Sequence, residues 1–175
     1  QVIDKFLHEY ELCKYLNLDG VRKVFSWEKH MQSYRIYMEY VDGITLSEYI
    51  LTKPPIRDIL SVFCSLSKVL SELHRKSVIH NRLSPDNILL KTDTLTVKLI
   101  DLGESTKYSL KSTHMGNPAK LDGDIHYMSP EQALSRPVDA RSDLYSVGVI
   151  LYECLTGHVP FDAGNLFELL QKHVD

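Results

Sequence analysis

Apolar residues recur at helical spacing through the first sixteen positions, with Val2, Ile3, Phe6, Leu7, Tyr10, Cys13 and Leu16 on that rhythm. The period predicts an opening helix over residues 2–16, ended by the polar turn NLDG. VRKVFSW and YRIYMEYV, rich in β-branched and aromatic residues and separated by EKHMQS, predict an antiparallel pair of strands. ITLSEYI reads as a short helix. Pro54-Pro55 then sets up a long one, IRDILSVFCSLSKVLSELHRK, whose apolar side chains keep to one face. NILL and LTVKLI are two further short β runs. From Asp101 to about His126 the chain is polar and aperiodic, and so long a segment inside a compact domain is usually functional. RSDLYSVGVILYECLTG is apolar nearly all round, the pattern of a buried helix closed by Gly157, and NLFELLQKH supplies a last amphipathic helix.

Composition narrows the function classes. A chain of 175 residues, 43% hydrophobic and 25% charged, is one ordinary globular domain with enough length to bury a core. The net charge of −3 and the scattered basic residues give no footprint for a phosphate backbone or an anionic membrane, which excludes nucleic acid and membrane as partners at this stage. Cys13, Cys64 and Cys154 lie far apart without C-x-x-C pairing, so neither a zinc site nor a disulfide framework is indicated, and a reducing, cytoplasmic setting is expected. The longest apolar run, SVGVILYECL, is far below the roughly 20 residues that span a bilayer.

Three motifs follow one another in a fixed order: HNRLSPDN at residues 80–87, LIDLGES at 99–105 and GDIHYMSPE at 123–131. Each alone would be weak. Taken in order after a helix, a strand pair and a long helix, they resemble a eukaryotic-type protein kinase, whose catalytic loop reads H-R-D-L-K-P-x-N and whose activation segment runs from D-F-G to A-P-E. The resemblance implies an α+β, protein-kinase-like fold. Residues 1–40 would form a partial N-lobe, with helix C and two strands, and residues 41–175 most of a helical C-lobe, truncated at its C-terminal end. No G-x-G-x-x-G loop and no V-A-I-K strand precede the first helix, so a fragment of a longer polypeptide is expected.

The same resemblance assigns roles by position. Glu9, with Glu11 as a register alternative, matches the ion-pairing glutamate of helix C. Met38 matches the guard of the adenine pocket, Glu39, Tyr40 and Val41 the hinge backbone, and Leu89 the floor. Asn87 and Asp101 match the pair that holds magnesium, which makes ATP and magnesium the implied cofactors. Cys13, Val24, His80 and Leu102 match a hydrophobic column joining the two halves. Asp143 matches the buried aspartate that holds the catalytic loop, with His80 in a structural role. Glu131 matches the acid that pairs with an arginine nearer the family's C-terminal end.

The loop keeps His80, Leu83, Pro85 and Asn87 but departs from the family at Asn81, Arg82 and Ser84. Arg82 stands where an aspartate would orient the proton of the substrate hydroxyl. A guanidinium stays protonated and offers donors only. Placed ~5 Å from a divalent ion at an effective dielectric of ~20, it would repel the metal by roughly 6–7 kcal/mol before screening. Ser84 replaces a lysine that would neutralise the transferred phosphate. Asp124 replaces the threonine that touches the catalytic aspartate, so an Arg82–Asp124 salt bridge is expected. Asn81 replaces the arginine that grips a phosphorylated activation loop, which leaves Ser105, Thr106, Ser109, Ser112 and Thr113 as ordinary loop residues.

These departures predict a pseudokinase: a catalytically impaired regulatory segment of a multidomain signalling protein, possessing other domains of its parent and signalling proteins as partners and retaining a site of ATP-binding type. Two alternatives stand beside it. One is an active serine/threonine kinase with an unorthodox base, Asp86 or Asp101. The other is the kinase-like module of a hybrid histidine kinase acting in a phosphorelay, since the C-terminal 48 or so residues are similar in texture to such modules in large, notably fungal, hybrid sensors.

Overall fold

The computed structural model describes residues 2–31, 33–107 and 125–175. The first helix, α1, spans Val2–Leu16 and buries Leu12, Cys13 and Leu16. It stops where Asn17 turns into the left-handed region (φ 42°), a conformation that asparagine tolerates better than most residues. The antiparallel hairpin of β1 (Val24–His30) and β2 (Ser33–Met38) follows, in register from Ser26 opposite Tyr37 to His30 opposite Ser33, with a one-residue irregularity before Ser26 that still leaves Val24 opposite Met38. Aromatic rings attach it to the helix. Phe6 meets Tyr34 at 5.9 Å between centroids, Tyr10 meets Trp27 at 6.5 Å, and Trp27 meets Tyr34 at 5.8 Å.

ITLSEYI is divided between two elements rather than forming one helix. Its start belongs to strand β3 (Gly43–Thr45), and its remainder to α2 (Leu46–Leu51). Thr45 makes the switch through a capping box: its Oγ1 accepts from Glu48 N at 3.1 Å, and its own N–H donates to Glu48 Oε2 at 2.8 Å. The long helix α3 (Ile56–Arg75) starts after Pro55 and presents Ile59, Val62, Phe63, Leu66, Val69, Leu70 and Leu73 to the core.

Beyond α3 lie a short strand β4 (Val78–Ile79), a 3₁₀ turn over Pro85–Asn87, β5 (Ile88–Lys91), β6 (Val97–Leu99), a 3₁₀ turn over Leu102–Glu104 and β7 (Thr106–Lys107). β3, β5 and β6 form a three-stranded antiparallel sheet in that order, and β4 pairs with β7. The chain just before β1 is stitched to this sheet, since Leu99 N donates to Gly20 O at 2.8 Å and Arg22 N to Leu99 O at 3.0 Å.

The described part of the C-terminal half comprises α4 (Pro130–Ala133), α5 (Ala140–Thr156) and α6 (Leu166–Val174). Asp139 caps α5 at its start, and Gly157, with φ 81°, closes it in a left-handed turn that a side chain would strain. The expectation that α5 is buried all round does not hold. Leu144, Tyr152 and Leu155 are exposed, whereas Ser142, Asp143 and Ser146 lie on the buried face. One hydrophobic cluster runs from Leu12 and Cys13 of α1 through α3 and the β5–β6 strands to Val149, Ile150 and Cys154 of α5. Burial pushes the thiols of Cys13 and Cys154 up to about 12, so both act as small apolar packers. Among the described residues no helix is long and apolar enough to cross a membrane.

Candidate functional site

The loop between β4 and β5 is suspended from one buried carboxylate. Asp143, only 1% exposed, accepts from His80 N at 2.9 Å and from His74 Nε2 at 2.7 Å through Oδ2, and from Asn81 N at 3.0 Å through Oδ1. His80 is fully buried. Its Nδ1 accepts from Arg82 N at 3.3 Å, and its Nε2 donates to Ile100 O at 3.1 Å. Burial pulls the ring below the usual histidine range, against the opposing pull of Asp143, and the ring, accepting at Nδ1 and donating at Nε2, braces the loop. Gln132 adds a brace from α4, donating from Nε2 to Asn81 O at 2.7 Å.

Arg82 leaves this scaffold on the cleft side. Its Nη1 lies 3.0 Å from Asp101 Oδ2, and the two side chains are 35% and 37% exposed. Asn81 and Asp101 both sit in the left-handed backbone region, at φ 66° and 59°. Such conformations cost about 1–3 kcal/mol each outside glycine and concentrate at functional sites. Here the bend at Asp101 turns the chain out of β6 and into the Leu102–Glu104 turn. Asp124, the expected partner of Arg82, lies outside the described residues, as do Ser109, Ser112 and Thr113. Among the described residues the carboxylate that Arg82 meets is Asp101.

The remaining sequence-predicted positions divide between the cleft and the core. Asn87 donates from Nδ2 to Arg82 O at 2.8 Å, which leaves its Oδ1 as the atom chemically able to take a cation. Ser84 is buried and offers no charge. Glu9 lies 3.9 Å from the Arg22 guanidinium. Burial and the nearby Asp101 charge raise its carboxyl above the ordinary value, while Arg22 and the Leu102 backbone pull it down. Cys13 and Leu102 are in the core cluster, and Val24 packs against it. Glu131 accepts a hydrogen bond from Ser142 Oγ. Ser105 is buried, with Oγ donating to His80 O at 3.3 Å and its carbonyl accepting from His8 Nε2 at 2.7 Å. It is therefore part of the packing under the loop rather than an ordinary loop residue.

After β2, at the positions expected to form a hinge, Met38 and Val41 are half-buried and Tyr40 is 87% exposed. Leu89 faces away from the core, opposite Ile88 and Leu90, which are both fully buried. Glu39 is held by two donors, Lys98 Nζ at 2.8 Å and Lys23 N at 3.1 Å. Burial alone would raise its carboxyl, but these hydrogen bonds outweigh that and hold it below the ordinary range. Lys98, only 7% exposed, is a buried cation that the motif reading missed, as it missed His74 and Arg22. A single charged residue inside the β run LTVKLI was the available signal.

The arrangement does not fit magnesium as it stands. The carboxylate that would bind it already has Oδ2 on a guanidinium, which sets a like charge beside the place a divalent cation would take. Asp86 is exposed on the 3₁₀ turn at Pro85–Asn87, and Asp101 is paired with Arg82.

A helix packed on a hairpin, a histidine-anchored loop and an Asp-x-Gly turn, arranged around one α+β core, define a protein-kinase-like fold. The chain matches the family described as protein kinase domain over residues 1–175 and belongs to it. Serine/threonine-protein kinase PrkC of Bacillus subtilis is 30% identical over 177 residues, covering 99% of this chain and 27% of its own length. Probable serine/threonine-protein kinase PknB of Lactococcus lactis is 34% identical over 159 residues, covering 90% and 24%. Serine/threonine-protein kinase PknB of Mycobacterium tuberculosis is 36% identical over 141 residues, covering 79% and 22%. The chain thus spans about a quarter of the length of these curated relatives.

Proposed function

We propose that this chain is a catalytically impaired kinase-fold segment of a larger cytoplasmic signalling protein, a pseudokinase that binds a nucleotide and regulates partner domains without transferring phosphate. The observation that carries the reading is the Arg82 guanidinium 3.0 Å from Asp101. It puts a permanent cation where phosphoryl transfer needs a proton acceptor, on the carboxylate that would hold the metal. The intact Asp143 anchorage supports a folded loop, and the half-buried apolar residues Met38, Val41 and Leu89 suit a flat heterocycle.

A second reading is favoured by the names of the relatives, all serine/threonine kinases: an active kinase in which Arg82 swings away on substrate binding. A transfer assay decides between them. With radiolabelled ATP, magnesium and a generic protein substrate, the full-length protein should leave acceptor hydroxyls unlabelled, and Arg82→Asp should gain label. Robust labelling by the unaltered protein, retained in Arg82→Ala, would establish the active reading instead.

A further inference from the structure

The Arg82–Asp101 contact also determines how a phosphate group would be met, an inference that rests on the nucleotide-binding reading above. A guanidinium carries five N–H donors in a planar fork. The contact with Asp101 runs through Nη1 alone, and with about a third of its side chain exposed Arg82 is reachable from the cleft. Its backbone is fixed at both ends, by Arg82 N to His80 Nδ1 at 3.3 Å and by Asn87 Nδ2 to Arg82 O at 2.8 Å. The cation is therefore anchored yet open, the arrangement that favours bidentate recognition of phosphate oxygens.

A second guanidinium lies on the same side. Arg22 is 3.9 Å from Glu9, and the Glu9 carboxyl is close enough to Asp101 to respond to its charge. Each of these two acids has an arginine beside it. A magnesium ion entering here would meet a carboxylate whose Oδ2 is already on Arg82 and would sit beside a like charge. A polyphosphate meets neither obstacle, because it can take the outward donors of Arg82 while the inner one stays on Asp101.

We propose that Arg82 stands in for the divalent cation, so that the cleft takes a nucleoside triphosphate as its free anion and magnesium opposes binding. Isothermal titration of the full-length protein with ATP, in EDTA and in excess magnesium chloride, tests this directly. Binding in EDTA should be tighter by about tenfold or more, a difference well resolved in such a titration. Arg82→Ala should lose most of the metal-free affinity, and Arg82→Asp should bind ATP only when magnesium is present. Tighter binding with magnesium in the unaltered protein would overturn the proposal while leaving nucleotide binding intact. The absence of binding in both buffers, from protein whose circular dichroism is that of a folded chain, would overturn both. Neither result touches catalytic impairment, which the transfer assay judges by itself.

Discussion

On its inner side the loop from His80 to Asn87 hangs from Asp143, which is almost wholly buried and accepts three hydrogen bonds; on its cleft side Arg82 and Asp101, each about a third exposed, are joined by a single contact. The inner contacts lie in a low-dielectric interior where an unpaired partner is expensive, and the outer one lies where water screens it. Shape and reactivity of the same eight residues are thus set by different groups. One side can change chemistry while the other keeps the loop folded.

The largest effect should come from the inner side. Asp143→Ala strands two backbone N–H groups and His74, and urea unfolding should show a loss of about 3–5 kcal/mol. Next is Gly43→Ala, away from the loop: an added Cβ would come 2.2 Å from Leu90 O, so β3 must shift from β5, at a cost of about 1–3 kcal/mol in the same measurement. Arg82→Ala, on the cleft side, should cost under about 1 kcal/mol, since its ion pair is partly exposed. A loss there as large as that of Asp143→Ala would abolish the distinction between the two sides.

The smallest effect concerns pH, far from the loop. His173 is held below the ordinary histidine range by burial and then by the charge of His126, while Tyr145 OH lies 2.8 Å from its Nδ1. A depressed folded-state value means that the unfolded chain binds the proton more readily. This contribution is therefore fully present above about 6.5, the unperturbed value, and is lost as pH falls below it. Thermal melts between neutral and mildly acid pH should show a shallower decline in His173→Gln than in the unaltered protein.

Elements with a clean period were legible in the sequence. α1 and α3 follow from it almost to the residue, because each shows one apolar stripe. α5 was misread because polar residues share its buried face with Val149, Ile150 and Cys154. Ser142, Asp143 and Ser146 face inward, where Glu131, the loop N–H groups and Tyr127 O satisfy them, while Leu144 and Leu155 face out. β3 was missed since the capping-box pattern T-x-x-E announces the helix after it, and its pairing with β5 is non-local. In the site, motif order placed Arg82 and Asp101 in the cleft but not against each other. Left-handed backbone bends at Asn81, beside Arg82, and at Asp101 itself accompany their meeting, and motif spacing does not encode them. The pairs Lys98–Glu39 and Arg22–Glu9 likewise join residues from separate elements.

The stitching of Gly20 and Arg22 to Leu99 has a mechanical consequence. Leu99 is two residues from Asp101, and a Cβ at Gly20 would lie 2.2 Å from Val69, so the linker is clasped between β6 and α3. Pulling the end of α1 outward would tug β6, two residues short of Asp101. Force on one half of the chain would thus reach the arginine clasp along a taut, two-bond tether.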